Sequence, residues 1–519
     1  MQLILPPRTT RAAFDRALRA FAGVVGEHCV FATDEDRETY LDLYAPGNDA
    51  QHAPSAAIAV QSTAQVQAIV RLANQHRIPL WPISRGKNFG YGGTAPVLAG
   101  SVVLDLTRMN RILEVNDKLA CCVLEPGVGF FDLHEHLTAN RIPLWMGIPG
   151  NGWGSVIGNA LERGFSGSPY GEHAHCVCGM EVVLPSGELV RTGMMALTDS
   201  PTGALFKHGY GPGWDQMFMQ SNFGIVTRAG FWLMPEPDAT LSLRGSVPEP
   251  DDIGWLIDVL TPLRISGVLT QNVGITSYMA SATTTTQRRQ WYTGRTTLPD
   301  AVIKAIMERY QVGWWNFGLR LYGHPEVNDV HRRLIERAFA GRRLTRDFEV
   351  TQWRKGQSGP GGAPSPGVFP LQIVNWHGGR GGHIGFSPIL PADGRLVLEQ
   401  FHRTRRRYEE FGIDYSATFY VSGRHVINVN LMLYDRDDAE LTGRTRELFS
   451  ALVRDSAQAG YAEYRTHLSY MDDVAETFDF NDHALRRLNE TLKDALDPNG
   501  IVAPGKSGIW PRRYRGGRR

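Results

Sequence analysis

The sequence predicts an α+β protein of two domains, and three observations lead to this prediction. The chain has 519 residues, more than a single hydrophobic core usually holds. Apolar runs at 56–60 and 80–83 flank a helical pattern, as in a strand–helix–strand unit. Prolines and acidic residues then crowd positions 235–252, which indicates a domain boundary.

The elements of the first domain follow from local signals. Ser62 stands three residues before Gln65, which is the spacing of a capping box. The helix that this box starts has apolar residues at helical spacing, namely Val66, Ile69, Val70 and Ala73. Further strands are predicted at 102–106 and 121–124, and a hairpin at 181–191 around Pro185-Ser186-Gly187.

The second domain alternates helical patterns at 332–340 and 395–411 with a β-rich run at 426–433. An amphipathic helix closes the chain, with an apolar stripe formed by Leu485, Leu488, Leu492 and Leu496. The predicted domains are 1–236, 237–484 and a C-terminal segment, 485–519, that completes the first domain.

Composition narrows the class of protein. A formal net charge of +1 gives no reason to expect nucleic acid or an anionic membrane as a partner, and no apolar run is long enough to span a bilayer. The five cysteines, one pair adjacent and one pair at i,i+2, do not resemble a disulfide framework. A cytoplasmic location is therefore predicted.

The densest local signal is a glycine-rich loop at 82–93, after the predicted strand at 80–83. Its four glycines let backbone N–H groups converge on an anion such as a diphosphate, and Arg85 and Lys87 could add charge. A tight connection without a ligand explains the glycines equally well. The spacing matches neither the dinucleotide fingerprint nor the Walker A loop, which argues against NAD and ATP.

A second glycine-rich loop covers 152–164, with Gly154, Gly158 and Gly164. Two such loops within one domain are more than chain reversal requires, so a large cofactor between them is predicted. The string at 173–178, His-Ala-His-Cys-Val-Cys, looks like a metal site. On a strand its alternation would crowd all four ligands on one face, whereas zinc requires tetrahedral ligands, so packing is expected and no metal.

Several strings together resemble the vanillyl-alcohol oxidase / p-cresol methylhydroxylase family of flavoproteins. They run in order from about residue 55 to 510: the loops at 84–93 and 152–164, Pro169-Tyr170-Gly171-Glu172-His173, Gln220 to Thr227, Gly381 to Phe386, Tyr464-Arg465-Thr466-His467, and 496–510. The resemblance implies the family's two-domain FAD-binding fold with an α+β cap domain that binds the substrate.

The resemblance also implies FAD, tethered through its 8α position to His383, where the cytochrome-linked hydroxylases carry a tyrosine. The implied FAD-binding residues are Ser84, Arg85, Gly86, Lys87, Asn88, Phe89, Gly90, Tyr91, Gly92, Pro149, Gly150, Asn151, Gly154, Ser155, Gly158, Asn159, Glu162, Arg163, Tyr170, Gly171, Gly224, Ile225, Val226, Arg465 and Lys506.

Tyr91, Tyr464 and Arg465 align with the family's phenol-binding and catalytic trio. A hydride leaves a benzylic carbon readily when the para oxygen is a phenolate, and these three side chains would stabilise that anion. Without the resemblance, Tyr464-Arg465 would be read as a buried aromatic residue beside a surface cation. The substrate pocket is expected to include Thr418, Ser387 and Asn151.

The sequence departs from the family at 149–152. The oxidases carry a carboxylate there that helps to add water to the quinone methide, and this chain has Asn151. Asp414 is a candidate replacement. Thr418 stands where one oxidase of the family has a glutamine, so a larger phenol with two methoxy groups would fit. Hydration and loss of a proton to give an alkenylphenol both stay open.

The resulting interpretation is an oxidase of para-substituted phenols, with O2 reduced to H2O2 and a homodimer as the expected assembly. One alternative is a dehydrogenase of the same fold that passes electrons to cytochrome c. The other is a flavin-binding protein without catalysis, against which the intact trio argues.

Overall fold

The structure is a computed structural model that describes residues 3–47, 49–358, 361–367 and 371–515. It contains two compact units. Unit 1 comprises Met1–Phe165, Glu172–Met234 and His467–Arg519, and unit 2 comprises Ser166–Gly171 and Pro235–Thr466. Both units combine helices with sheets, so the predicted α+β class is confirmed.

The first eleven strands of the chain and the helices of unit 1 have the following bounds. The strands are β1 (Val30–Phe31), β2 (Ala56–Ala59), β3 (Leu80–Ile83), β4 (Val102–Asp105), β5 (Ile112–Asn116), β6 (Cys121–Leu124), β7 (Leu144–Trp145), β8 (Val177–Val183), β9 (Leu189–Arg191), β10 (Ile225–Trp232) and β11 (Met234–Pro235). The helices are α1 (Arg11–Val25), α2 (Asp34–Glu38), α3 (Thr63–His76), α4 (Phe130–Ala139), α5 (Val156–Leu161), α6 (His173–Cys176) and, near the C-terminus, α13 (Met471–Glu476), α14 (Phe480–Leu496) and α15 (Arg512–Arg515).

Nine of these strands form a four-stranded sheet in the order β1-β2-β4-β3 and a five-stranded sheet in the order β5-β6-β10-β8-β9, and β11 pairs with β7. The parallel pairs β2–β4 and β3–β4 confirm the predicted strand–helix–strand unit. Its helix α3 is capped by Ser62, whose Oγ accepts a hydrogen bond from the N–H of Gln65 at 3.3 Å. The four predicted apolar residues of α3 are fully buried against the first sheet.

Unit 2 contains the remaining helices and strands. The helices are α7 (Asp252–Ile265), α8 (Met279–Thr283), α9 (Asp300–Tyr310), α10 (Pro325–Ala338), α11 (Gly394–Glu410) and α12 (Ala439–Gln458), and the strands are β12 (Ala239–Val247), β13 (Val273–Ser277), β14 (Trp315–Gly323), β15 (Glu349–Arg354), β16 (Gly381–Phe386), β17 (Ile389–Pro391), β18 (Ser416–Val421) and β19 (His425–Asp435).

The strands of unit 2 form one antiparallel sheet in the order β15-β12-β14-β13-β18-β19-β16, with β17 also paired to β19. Burial alternates along β19: Asn428, Asn430 and Met432 are buried, whereas Val429 and Leu431 are only half-buried. Because successive side chains of a strand point to opposite faces, the sheet has one fully buried face and one that is partly accessible.

The C-terminal segment differs from the prediction in two ways. Residues 467–484, assigned to the cap from the sequence, cluster with unit 1, where Leu468 and Met471 lie in the core. The predicted helix exists as α14, but Leu485 and Leu488 of its apolar stripe are 54% and 55% exposed. The buried residue of this helix is Lys493, which satisfies its charge with polar partners.

Two further predictions concern the cysteines. All five are unbridged and buried. The string 173–178 does not form the single strand face that was expected, because His173–Cys176 is a short helix and the strand starts only at Val177.

In the described part of the chain, no helix combines the length and apolarity needed to cross a membrane.

Candidate active site

The first glycine-rich loop leaves β3 and requires glycine at several points. Gly86, Gly90 and Gly92 have φ values of 62°, 79° and 110°, in the region that side chains with a Cβ rarely adopt. A Cβ on Gly92 would also overlap the side chain of Leu468, and one on Gly86 would overlap Thr94. The loop is therefore held tightly against its own unit by residues that leave no space for a side chain.

The same loop offers hydrogen-bond donors. Among the hydrogen bonds between described residues, none is donated by the backbone N–H groups of Gly86, Lys87, Phe89 or Gly90. Consecutive N–H groups of this kind form an anion-binding concavity when the backbone alternates between right- and left-handed conformations. The loop therefore fits a diphosphate such as that of FAD.

Of the two cationic side chains predicted to add charge to this loop, Arg85 is paired within the protein and Lys87 is exposed. The Arg85 guanidinium donates to Asp132 Oδ2 at 2.6 Å and to the carbonyl of Gly127 at 3.0 Å. Its charge is therefore matched within the protein, and its role is to fasten the loop.

The second glycine-rich loop meets the first. A Cβ on Gly158 would overlap the Oγ of Ser84, and Asn151 Nδ2 donates to the carbonyl of Lys87 at 2.9 Å. Ser155 caps the helix α5 that follows, since its Oγ accepts from the N–H of Gly158 at 2.8 Å. Two loops far apart in the sequence therefore form one continuous glycine-lined surface.

The end of α5 carries further predicted residues. Glu162 Oε1 lies 2.6 Å from Lys506 Nζ, so two FAD-site candidates separated by more than 300 residues form an ion pair. Asn159 Oδ1 bonds His173 Nδ1 at 2.6 Å, and burial lowers the pKa of His173 to about 4. Arg163 is exposed and has a φ of 51°. His173 is thus a neutral packing residue that orients Asn159.

The remaining candidates of the FAD site differ in their burial. Gly224 packs against Val182, and the buried Ile225 and Val226 open β10. Pro149 is half-buried and Gly150 is exposed. In unit 2, Tyr170 is half-buried and Gly171 is buried. The position of each of these residues is compatible with a cofactor site, and their roles stay predictions.

The predicted phenol-binding trio is divided between the units. Tyr91 lies in a turn of unit 1, half-buried, with its N–H bonded to the carbonyl of Asn88 at 3.1 Å. Tyr464 and Arg465 are half-buried in unit 2, just before the chain re-enters unit 1. The trio as a joint site therefore stays a prediction.

In unit 2, the register of the sheet places His383 and Thr418 on one face. His383 is opposite Leu433 of β19, and Thr418 is opposite Val429 of the same strand. Opposite residues of an antiparallel pair share a face, and residues 429, 431 and 433 alternate onto the same side. We call this partly accessible side the His383 face.

The His383 face contains residues that the sequence did not single out. Val429 and Leu431 lie between His383 and Thr418 in the pairing, and both are half-buried. Thr276 is opposite Thr418 on β13, and the two hydroxyl groups are 3.2 Å apart. Strand alternation within 426–433 was the signal available, but it could not show which face would carry His383.

A buried carboxyl group lies beside the end of the His383 strand. Ser387, one residue after β16, is buried, and its N–H donates to Glu463 Oε1 at 2.6 Å. Burial raises the pKa of Glu463 to about 8, against the lowering effect of the hydrogen bond from the N–H of Ser387. Glu463 directly precedes the predicted Tyr464-Arg465 pair and was overlooked, because a lone glutamate in the sequence carries no sign of its burial.

Asp414, the candidate replacement for the missing carboxylate, is bonded to three residues of unit 2. It forms an ion pair with Arg288 at 2.7 Å and accepts hydrogen bonds from Trp376 Nε1 at 2.9 Å and from the N–H of Leu298 at 2.9 Å. A carboxylate held in this way connects elements of unit 2, and its oxygens are occupied by partners within the protein.

Comparison with known proteins adds an independent result. Residues 54–193 match the family model "FAD binding domain", and residues 366–507 match "FAD linked oxidases, C-terminal domain". The chain is 36% identical to the 4-cresol dehydrogenase [hydroxylating] flavoprotein subunit of Pseudomonas putida over 98% of both chains.

Two solved structures are similar over nearly the whole length. One is 4-ethylphenol oxidase from Gulosibacter chungangensis in complex with isoeugenol, with a TM-score of 0.93 and 34% identity, covering 99% of this chain and 100% of that one. The other is p-cresol methylhydroxylase with substrate bound, with a TM-score of 0.92 and 35% identity, covering 98% and 99%. The chain therefore belongs to the vanillyl-alcohol oxidase / p-cresol methylhydroxylase family and is an FAD-linked oxidoreductase.

Proposed function

We propose that this enzyme oxidises the benzylic carbon of para-substituted phenols, above all 4-alkylphenols, and passes the electrons to O2 with formation of H2O2. The observation that carries the proposal is full-length similarity, at 36% and 34% identity, to enzymes named for 4-cresol and 4-ethylphenol. Both compounds are phenols with an alkyl group in the para position. Eugenol, vanillyl alcohol and syringyl phenols share that pattern and fall under the same proposal.

The glycine-lined surface of unit 1 would hold FAD. The N–H groups of Gly86, Lys87 and Phe89 would bind the diphosphate, and the Glu162–Lys506 pair would contribute polar contacts to the cofactor. When bound, FAD supplies the two-electron acceptor for the oxidation. His383 would carry the 8α-histidyl bond to the cofactor.

The chain's own residues would prepare the substrate. Tyr91, Tyr464 and Arg465 would donate hydrogen bonds to the phenol oxygen and lower its pKa. Arginine is suited to this because it stays protonated and donates in a planar fork. The phenolate then releases electron density through the ring, a hydride leaves the benzylic carbon, and the substrate becomes a p-quinone methide.

A cytochrome-linked dehydrogenase is the second candidate, and a specific observation favours it: the curated relative at 36% identity is the flavoprotein subunit of a dehydrogenase. His383 favours the oxidase, since by the family resemblance the cytochrome-linked enzymes carry tyrosine there. Stopped-flow re-oxidation separates the two. Fast re-oxidation by O2 supports the oxidase, whereas slow re-oxidation by O2 and fast re-oxidation by cytochrome c would support the dehydrogenase.

The covalent bond is tested by acid precipitation of the purified enzyme. The wild-type pellet should stay yellow, and His383→Ala should release the flavin into the supernatant. His402→Ala is the matched control, because His402 is a surface histidine of the same unit, 46% exposed and 3.2 Å from Asp251. A colourless wild-type pellet would contradict the tether.

The phenolate-binding role is tested at Arg465. Arg465→Ala should lower kcat/KM for 4-ethylphenol at least about 30-fold, because a hydrogen bond to a charged group contributes about 2 kcal/mol. Arg465→Lys should recover only part of this loss. Arg395→Ala, at a residue 71% exposed on the surface of unit 2, is the control, and a similar effect of both alanine variants would remove Arg465 from the site.

A further inference from the structure

The segment before Tyr464 is joined to the chain that follows the His383 strand. The N–H of Ile389 donates to the carbonyl of Ala462 at 3.0 Å, and the N–H of Tyr464 reaches the carbonyl of Ser387 at 3.4 Å. Pro388 and Glu463 form an isolated antiparallel bridge between these two backbone contacts. Residues 462–464 thus lie alongside residues 387–389.

The side chain of Glu463 adds a contact to this pairing that its backbone cannot make. Its Oε1 accepts the N–H of Ser387 at 2.6 Å, and Ser387 itself is 0% exposed. Without this acceptor the buried N–H would have no partner among the described residues. A buried N–H without an acceptor costs about 1–3 kcal/mol, so the carboxyl group fixes the geometry of the junction.

Burying this carboxyl group costs free energy, so we expect it to have a role that offsets the cost. Glu463 is 5% exposed, and desolvation is the largest influence on its pKa, raised to about 8. At neutral pH it is therefore a neutral acid, with one oxygen to accept from Ser387 and an O–H to donate. An uncharged acid in this place positions its neighbours without bringing a negative charge next to Arg465.

We propose that Glu463 is a positioning residue for phenol binding: its hydrogen bond to Ser387 fixes Tyr464 and Arg465 relative to the strand that carries His383. The inference rests on the proposed function, because it takes phenolate binding as the reason for holding this segment in place. Glu463 does not need to touch the substrate. It acts through the two residues that follow it, whose distance from the sheet it determines.

Two substitutions separate positioning from bulk stability. In Glu463→Gln the amide oxygen still accepts from Ser387 and the NH2 group replaces the O–H, so kcat/KM for 4-ethylphenol should stay within about threefold of wild type. In Glu463→Ala the junction loses its side-chain acceptor. Because displacement of binding groups by about 1 Å can cost roughly 10²-fold, kcat/KM should fall about that much, with KM raised at least tenfold.

The experiment measures steady-state kinetics with 4-ethylphenol, the binding of an unreactive 4-halophenol by flavin absorbance, and the melting temperature. Glu399→Ala is the control, because Glu399 is 50% exposed on the same unit. The expected result is weak phenol binding in Glu463→Ala, recovered in Glu463→Gln. A Glu463→Ala enzyme that melts earlier but binds the halophenol and turns over like Glu399→Ala would overturn the positioning role.

Failure of the function is distinguishable from failure of this inference. Wild-type enzyme is assayed first, and if it oxidises no 4-alkylphenol the proposed function fails together with the inference. If wild type is active and Glu463→Ala does not fold, Glu463→Gln decides. Wild-type KM in Glu463→Gln supports the proposal, and a tenfold higher KM, despite the conserved acceptor, overturns it.

Discussion

A buried lysine fastens the C-terminal segment of unit 1, and its removal gives a prediction with a defined magnitude. Lys493 Nζ lies 2.7 Å from Asp497, and it donates to the carbonyls of Asn222 at 2.6 Å and Val502 at 2.7 Å. Both charged side chains are 0% exposed. Removing one partner of such a pair leaves an uncompensated buried charge and costs about 3–5 kcal/mol.

We therefore expect Lys493→Met to lower the melting temperature of the purified enzyme by roughly 10 °C, given about 2–4 °C per kcal/mol for domains of this size. Circular dichroism during heating measures it. Lys355→Met is the matched control, since Lys355 is 50% exposed and pairs with Glu236 at the surface, where a pair contributes about 0–1 kcal/mol. Adding Asp497→Asn to Lys493→Met should recover part of the loss, because the amide oxygen still accepts and carries no charge. Equal melting temperatures for Lys493→Met and Lys355→Met would refute the reasoning.

Three further predictions concern single residues. Gly92→Ala should weaken FAD retention on dilution, because a Cβ there overlaps Leu468 at a φ of 110°, whereas Gly423→Ala, with φ 93° and open space around it, should retain wild-type FAD content. The pKa of Glu463 is raised from 4.5 to about 8 in the folded protein, so the contribution of this group to the stability of the wild type falls as pH rises from 4.5 to 8, by at most about 5 kcal/mol. Denaturant titrations at pH 5 and 9 should show that Glu463→Gln lacks this loss, and parallel curves for both proteins would contradict the buried acid. Asn151→Asp should increase the share of alcohol over alkenylphenol formed from 4-ethylphenol, measured by chromatography, and an unchanged product ratio would contradict a role for this position in hydration.

Local signals in the sequence were sufficient for the strand–helix–strand unit of unit 1 and for part of one helix of unit 2. The capping serine and the spacing of its apolar residues predicted α3, which the structure places at Thr63–His76. The helix predicted at 332–340 is the second half of α10, which begins earlier, at Pro325. Its first seven residues, about two turns, were missed because proline interrupts a periodic pattern, although a helix accepts proline at its first position.

What the sequence could not predict depends on partners that are distant along the chain. The apolar stripe of α14 suggested that its leucines are buried, yet the buried residue is Lys493, whose carbonyl partners belong to Asn222 and Val502. Glycine-rich strings revealed the two loops but not their meeting at Ser84 and Gly158. Strand alternation likewise cannot give the register that brings Val429 and Leu431 onto the face of His383.

The fate of the oxidised side chain follows from the state of the carboxyl groups in this chain. A base accelerates the addition of water to a quinone methide, and the family resemblance implies a carboxylate for the oxidases at the position of Asn151, whose amide cannot act as a base. In unit 2, Asp414 is held by Arg288, and Glu463, with a pKa raised to about 8 by burial, is protonated at neutral pH. Between His383 and Thr418, the described side chains at Val429 and Leu431 are apolar. An alcohol forms only when water reaches the benzylic carbon, whereas an alkenylphenol forms by net transfer of a proton from the second side-chain carbon of the quinone methide to its ring oxygen, with no water added. The apolar side chains of the His383 face would disfavour the first route, so we expect alkenylphenols to predominate over alcohols.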